Sequence, residues 1–158
     1  MQFAKDSFYI ALRDNLAVVN PARTVTLEGV VRPAVMVAEN EGSLLGLENV
    51  FVLSWGDAQF VGNGTKLMKM TCAIQYATSG ATDSGDDRGR VMGTLDSELM
   101  QSAQPPRTQK TDYTKIPPSS LGTMIFWTDL EFTAPKDEAG KISRVATTTV
   151  YFFSEVEQ

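Results

Sequence analysis

The stretch that reads MKMTCAIQY, residues 68–76, has large apolar side chains or cysteine at every second position and Lys69, Thr71, Ala73 and Gln75 between them. Successive side chains of a β-strand point to opposite faces, so Cys72, Ile74 and Tyr76 share one face with the two methionines. The four residues between them, three of which are polar, share the other face. The stretch therefore predicts a strand with one face on an apolar core and the other on water or a partner.

Further β-prone runs lie on both sides of this strand. Glu28-Gly29 predicts the turn of a hairpin, and Gly56-Asp57 is expected to end a strand. The last run is partly apolar on both faces, which favours a central position in a sheet. The predicted strands are Thr24–Leu27, Val30–Val37, Phe51–Trp55, Met124–Phe132 and Val145–Phe153, with a charged hairpin connection at Ala134–Lys141.

Two segments have the 3.6-residue apolar period of amphipathic helices. The first is predicted from about Asp6 to Val19, with Asp6 or Ser7 as its cap and Asn20-Pro21 after its end. The second is predicted from Asp86 or Asp87 to Gln101. The apolar stripes are Phe8, Leu12, Leu16 and Val19 in the first helix, and Val91, Leu95 and Leu99 in the second.

The order of these elements predicts one domain over residues 1–158 with an α+β fold. We expect a mostly antiparallel β-sheet with both amphipathic helices packed on one face. Extended loops are predicted at about residues 78–87 and 104–120, and a mixed loop at residues 40–48. The 104–120 stretch carries four prolines, and long loops of this kind tend to be functional.

The composition argues against most catalytic chemistry. The 158 residues include no histidine, which removes the commonest general base and the commonest zinc ligand. Asp96 and Glu98 are two positions apart on a helix and do not face each other, and nothing around Asp112 and Tyr113 supplies a nucleophile. We therefore expect a protein that is not an enzyme and needs no cofactor.

Charge and cysteine content give expectations about environment. Cys72 is the only cysteine, which excludes an internal disulfide and suits a reducing cytoplasm. The formal net charge of −5 argues against specific nucleic-acid binding, which usually needs a basic face. The first residues lack the pattern of an export signal, and no apolar run is long enough for a membrane span. We expect assembly in the cytoplasm of the cell, with no membrane contact.

Several short motifs occur in a familiar order. A first amphipathic helix leads to a strand that contains RPAVMV, residues 32–37, and an alternating strand runs through a polar loop into a second helix. A long loop with Asp112-Tyr113 then precedes Ile125-Phe126-Trp127 and a last strand rich in Thr, Val and Tyr. This layout, over most of the chain, resembles the tail terminator proteins of long-tailed bacteriophages, in particular the lambda-like type.

The resemblance implies a structural virion protein of the tail or neck. Members of that family form a hexameric ring that sits on the end of the tail tube, stops its growth and joins it to the head. The implied partners are further copies of the chain, the tail tube protein and a head-completion or neck protein, with genomic DNA passing through the lumen without specific binding. Two alternatives stay open: another connector or ring protein of the neck or tail, and a small-molecule or peptide-binding module.

An acidic group precedes the second helix: Asp83, Asp86 and Asp87. Three oxygen donors within five residues could bind Ca²⁺ or Mg²⁺, but the spacing of an EF-hand loop is missing. A helix cap in a solvated loop is the simpler interpretation, and no metal is expected. In a ring, these aspartates could instead face the lumen and repel DNA.

Cationic and aromatic residues in the second half are candidate subunit contacts. Arg107, Lys110 and Lys115 could pair with acidic groups of a neighbouring subunit or lie in a solvated loop. Phe126 and Trp127 could anchor an interface, since aromatic residues are enriched at such sites. Neighbouring strand residues point to opposite faces, so at least one of the two should pack in the core.

Overall fold

The computed structural model describes residues 1–40 and 46–155. In this part of the chain there are two helices, α1 (Gln2–Val19) and α2 (Arg88–Ser102), and ten strands. Neither helix combines the length and apolar character that crossing a membrane requires. The strands are β1 (Thr24–Leu27), β2 (Val30–Pro33), β3 (Val35–Val37), β4 (Phe51–Phe60), β5 (Leu67–Thr78), β6 (Arg107–Asp112), β7 (Ser119–Trp127), β8 (Glu131–Phe132), β9 (Lys136–Glu138) and β10 (Lys141–Phe153).

One large sheet organises the chain. Its strand order is β3-β4-β5-β10-β7-β6, and β8 and β9 also pair with β10. Only the β3–β4 pair is parallel; the other described pairs are antiparallel. Strands β1 and β2 form a separate hairpin. The final strand is central, as its two-sided apolar pattern predicts.

The two helices contact each other and cover the same face of the sheet. The alternating face of β5 and the even-numbered positions of β10 are turned toward them. Ala146, Thr148, Val150 and Phe152 are buried there, whereas the odd-numbered positions from Val145 to Phe153 are half-buried or exposed. The fold is therefore α+β, with a mostly antiparallel sheet and both helices on one face.

The helix boundaries differ from the predicted ones. Helix α1 begins at Gln2 rather than near Asp6, and Met1 is at its N-cap. Ser7 does not cap the helix; its hydroxyl donates a hydrogen bond to the carbonyl oxygen of Phe3 and accepts one from the amide of Thr111. Helix α2 begins at Arg88, and Asp87 stands at its N-cap without a side-chain bond to the helix.

The strand from Phe51 does not end at Gly56-Asp57. It continues to Phe60, and its register against β5 shifts between Trp55 and Ala58. A bulge of this kind takes up extra residues without ending the pairing, so the turn-forming dipeptide lies inside a strand. The mixed loop expected at residues 40–48 lies partly outside the described residues, which omit 41–45.

The prediction of an extended loop over residues 104–120 was wrong. Strand β6 occupies residues 107–112 and pairs with β7, which already begins at Ser119. The four prolines lie outside both strands, so they do not interrupt the pairing. The single strand predicted over Met124–Phe132 is two strands, β7 and β8, and the connection at 134–141 contains β9. The loop predicted at 78–87 is confirmed between β5 and α2.

Candidate functional site

The sheet face that is turned away from the helices has no covering element among the described residues. We name it the open face. Its strand registers place one row of side chains across four strands: Arg107 on β6 opposite Phe126 on β7, Phe126 opposite Tyr151 on β10, and Tyr151 opposite Lys69 on β5. Along β5, β6, β7 and β10, the described side chains of this face are half-buried or exposed.

An apolar cluster lies at one end of the open face. We define the apolar corner as Met124, Phe126, Tyr151 and Phe153. The rings of Phe126 and Tyr151 stack with centroids 5.3 Å apart and planes 6° apart. Exposed fractions are 44% for Met124, 41% for Phe126 and 44% for Phe153. Neighbouring apolar side chains with this exposure are typical of protein-binding surfaces.

Cations border the apolar corner. Arg107 is exposed beside Phe126, and Lys69 is half-buried beside Tyr151. Lys66 lies close by, because its carbonyl oxygen accepts a hydrogen bond from the amide of Ser154, just after β10. None of the three has an ion pair with a described residue. In a chain with a net charge of −5, this end of the sheet carries positive charge that its own surroundings do not neutralise.

A groove lies at the opposite end of the open face. Its volume is about 520 Å³, within the range of binding pockets. Its lining is mainly apolar, with a few polar side chains at the margin. Its lining includes Leu47, Val52, Gln75, Ala77, Glu138 and Lys141.

Glu48 and Lys141 form an ion pair at this end, with 3.1 Å between Lys141 Nζ and Glu48 Oε1. The Ser79 hydroxyl donates to Glu48 Oε2 at 2.7 Å. This hydrogen bond and the nearby ammonium group of Lys141 lower the pKa of Glu48, against the opposing effect of partial burial. Glu48 is therefore a charged group at neutral pH and holds β10 to the segment before β4.

One of the three aspartates in the acidic loop before α2, Asp87, has a structural role. Asp87 accepts hydrogen bonds from the amides of Ala81 and Thr82 and from the Thr82 hydroxyl. Partial desolvation raises its pKa, but these bonds outweigh that effect and hold the pKa below its usual value. Asp83 and Asp86 are exposed. No set of metal-ligating side chains occurs among the described residues, and these aspartates form none.

The three candidate cations of the second half do not lie together. Arg107 is on the open face, while Lys115 is exposed in the β6–β7 turn, 3.9 Å from Asp112. Lys110 is only 3% exposed: its Nζ donates to the carbonyl oxygen of Phe153 at 2.6 Å and lies 3.1 Å from Glu155. The predicted surface role of Lys110 was wrong, because alternation along β6 turns this side chain inward.

Trp127 is also not available at the surface. It is 6% exposed, its indole N–H donates to the carbonyl oxygen of Ala103 at 2.9 Å, and its ring meets Phe8 edge-on. The prediction that at least one of Phe126 and Trp127 packs in the core is confirmed, and Phe126 is the exposed one. Cys72 is fully buried, and burial raises the pKa of its thiol, as expected for an inert cysteine.

The carboxylates that could suggest acid–base chemistry take part in separate structural contacts. Asp96 accepts hydrogen bonds from the Tyr76 hydroxyl and from Arg144, which joins α2 to the sheet. Glu98 binds Arg23 and Asn20. Burial and the bond to Asp96 raise the pKa of Tyr76 well above its usual value, so this phenol stays protonated.

The sequence patterns place Lys69, Tyr151 and Phe153 on the second faces of their strands, but they did not identify these residues as candidates for a functional site. The signal was present in the alternation of β5 and β10, whose second faces carry them.

Comparison with known proteins does not identify a family: no protein-family profile matches the chain, and no curated protein matches it.

The contacts of Glu155 predict how the stability of the fold depends on pH. Glu155 lies beside the N-terminal ammonium group, 2.9 Å away, and beside Lys110. Desolvation raises the pKa of Glu155, but these two cations outweigh it and leave the pKa lowered. A lowered folded-state pKa gives stability that is present above the unfolded-state pKa of about 4.3 and is lost as the pH falls through the folded-state value.

Glu155→Gln is therefore expected to lower the free energy of unfolding at pH 7 by up to about 1 kcal/mol, since the pair is partly exposed. The difference from the wild type should shrink between about pH 5 and pH 3. Urea titrations at several pH values measure it. Glu138→Gln, at an exposed carboxylate without an ion pair among the described residues, is the matched control. A Glu155→Gln effect that is equal at pH 7 and pH 3 would contradict the assignment.

Proposed function

We propose that this chain is a structural subunit that associates head to tail into a ring and caps the tail tube of a long-tailed bacteriophage. The supporting observation is the open face. One face of the sheet is covered by both helices, while the other presents exposed aromatic and apolar side chains that packing within the chain does not use. Surfaces of this kind are typical of proteins that work by assembly.

A second feature is that the open face carries two unlike surfaces. The apolar corner and the groove are different structures at opposite ends of one face. A contact between unlike surfaces forms twice in a two-fold pair, or once per subunit in a head-to-tail arrangement that closes into a ring when the rotation allows it. The ring proposal takes the second arrangement. In such a ring, the exposed Asp83 and Asp86 would add negative charge to the surface and, where they face the lumen, would repel DNA.

Several buried or half-buried polar contacts among the described residues have structural roles, which favours a protein that does not catalyse a reaction. Asp96, Glu98 and Lys110 each lie in a buried or half-buried contact that joins elements distant in sequence. A catalytic group must reach a substrate, and these side chains instead hold helices and strands together.

The test is the mass of the purified protein, alone and after mixing with polymerising tail-tube protein from the genome that encodes it. Light scattering gives the mass, and negative-stain microscopy shows the tube ends. A ring of about six subunits, or density on one end of tubes whose growth has stopped, is expected. A protein that stays monomeric and leaves the tubes bare and growing would overturn the proposal. Binding to a portal-side adaptor instead of the tube would indicate a different ring protein of the neck.

One observation favours a second candidate, a small-molecule or peptide-binding module. The groove has the size and the mainly apolar lining of a ligand site. This candidate predicts a stable monomer whose melting temperature rises in a ligand screen. The ring proposal predicts that self-association, rather than a small ligand, fills the groove.

A further inference from the structure

We infer that Asn63, in the turn between β4 and β5, is a site of spontaneous deamidation, with solvent water as the co-reactant. Asparagine is among the chemically labile residues of proteins. Asn63 is followed by Gly64, and none of the other asparagines in the sequence precedes a glycine. The turn therefore has the residue pair in which this reaction meets the least steric resistance.

The reaction closes a five-membered ring from groups that Asn63 and Gly64 supply. The backbone nitrogen of Gly64 bonds to Cγ of Asn63, the Cγ–Nδ2 bond breaks, and Nδ2 leaves as ammonia with the proton of the Gly64 amide. The oxygen of water then bonds to either carbonyl carbon of the succinimide, the bond from that carbon to the Gly64 nitrogen breaks, and the nitrogen regains a proton. The new carboxylic acid releases its proton to solvent, so position 63 becomes a negatively charged aspartate or isoaspartate.

The conformation of Gly64 leaves room for this ring closure. Its φ is +75°, in the left-handed region that glycine adopts readily. Beyond the adjacent residues, no atom lies within 4 Å of the position that a Cβ would occupy. The peptide unit between Asn63 and Gly64 is therefore not held in place by packing.

The hydrogen bonds of the turn hold its ends and leave its middle free. The amide of Val61 donates to the carbonyl oxygen of Leu67 at 2.8 Å, and the Thr65 hydroxyl donates to the carbonyl oxygen of Val61 at 2.7 Å. Within the described chain, neither the Gly64 amide nor the Asn63 side chain takes part in a hydrogen bond. Asn63 is exposed, so water reaches the succinimide. Both reacting groups are accessible and unrestrained.

The other asparagines lack this combination. Asn15 is held in α1, where its Nδ2 donates to carbonyl oxygens at and after the end of α2. Asn20 precedes a proline, which has no amide proton to release. Asn40 and Asn49 precede residues with side chains, and Asn49 is half-buried. Asn63 is therefore expected to react first.

Deamidation would change the charge beside the apolar corner. The turn leads into β5 at Leu67, which pairs with Phe153 of the corner. Lys66, one of the cations that border the corner, follows Asn63 closely in the same turn. Each product places a carboxylate near this cation and adds one negative charge to the formal net charge of −5. Isoaspartate also adds a methylene group to the main chain of the turn, so ageing alters this border of the open face.

The test is incubation of the purified protein at neutral and at mildly alkaline pH, below its melting temperature. Peptide mass spectrometry measures the mass gain from amide to acid at position 63. An isoaspartate methyltransferase with labelled S-adenosylmethionine measures isoaspartate. Conversion should increase with time and with pH, because the attacking nitrogen must lose its proton, and position 63 should convert several-fold faster than the other asparagines. Asn63→Gln should reduce the label to background, because glutamine closes a larger ring much more slowly.

The protein unfolded in guanidinium chloride is the matched control for the effect of the fold. An Asn63 that stays intact in the folded protein while the unfolded chain converts would overturn the inference, since the turn would then block ring closure. Earlier conversion of another asparagine in the folded protein would overturn it as well. Circular dichroism verifies that the folded sample stays folded. These results do not depend on self-association or tube capping, so the proposed function is judged separately by the mass measurement on rings and tubes.

Discussion

Replacing Glu98 with alanine is expected to lower the free energy of unfolding by about 3–5 kcal/mol, the usual cost of removing one partner from a buried ion pair. Arg23 donates to Glu98 through Nε at 2.8 Å and through Nη2 at 3.1 Å, and Asn20 Nδ2 donates at 2.7 Å. The exposed fraction of the side chain is 8% for Glu98 and 18% for Arg23. Without the carboxylate, the guanidinium group stays in a site that excludes most water.

Urea titration measures this loss as a lower midpoint with an unchanged slope. The matched control is Asp14→Ala, which removes the exposed ion pair with Arg13 on α1. This control should cost less than about 1 kcal/mol, because water replaces the lost contact. If Glu98→Ala cost no more than Asp14→Ala, the contact between Glu98 and Arg23 would not be buried in solution.

A double variant distinguishes the contribution of the ion pair from the cost of leaving one buried charge without its partner. Glu98→Leu combined with Arg23→Met removes both charges and fills similar space. Apolar replacement of a buried pair is often neutral or stabilising, so the double variant should recover most of the loss that Glu98→Ala causes. A double variant as unstable as Glu98→Ala would mean that the pair itself, together with Asn20, fixes the arrangement of α1, α2 and β1.

Local patterns predicted the parts of the fold that depend on local chemistry. The alternation over residues 68–76 predicted β5 and its buried face, and the two-sided apolar pattern of Val145–Phe153 predicted a central strand. Helix periodicity predicted both helices to within a few residues. These signals succeed because burial repeats with the geometry of the element itself.

Local sequence patterns could not predict contacts between residues that are distant in the chain. Strand β6 reads RTQKTD between pairs of prolines, which is the composition of a loop. It is a strand because β7 pairs with it and because Ser7 on α1 bonds to Thr111. Lys110 and Glu98 would be assigned to the surface from their charge alone. They are buried because their partners, the carbonyl oxygen of Phe153 and the guanidinium group of Arg23, come from distant parts of the chain.

The candidate site was predictable only in outline. Sequence reasoning identified Arg107 and named Phe126 as a possible anchor, because charge and aromatic character are visible in the residues themselves. It did not identify Lys69 and Tyr151, since the row that joins them to Arg107 and Phe126 exists only through the registers of four strands. The groove combines segments from β4, β5 and β10, and no local pattern indicates such a cavity.

The second large effect concerns Phe8, which is fully buried between α1 and the sheet. Its ring meets Trp127 edge-on at 5.0 Å and Trp55 at 5.6 Å. Phe8→Ala should lower the free energy of unfolding by about 3–5 kcal/mol, from lost burial and the cavity that remains. Phe8→Leu keeps most of the volume and should cost less, about 1–2 kcal/mol including the lost ring contacts.

Urea or thermal unfolding measures both losses, and tryptophan fluorescence reports on the cavity, because both tryptophans of the chain contact Phe8. Val18→Ala, on the same helix but 82% exposed, is the control and should stay within about 0.5 kcal/mol. The comparison also bears on assembly. The open face is the side of the sheet opposite α1 and α2, so its assignment depends on α1 packing where the structure places it. A Phe8→Ala loss no larger than that of Val18→Ala would mean that α1 does not pack against the sheet at Phe8. The face that carries the odd-numbered residues of β10 would then no longer be established as the uncovered one.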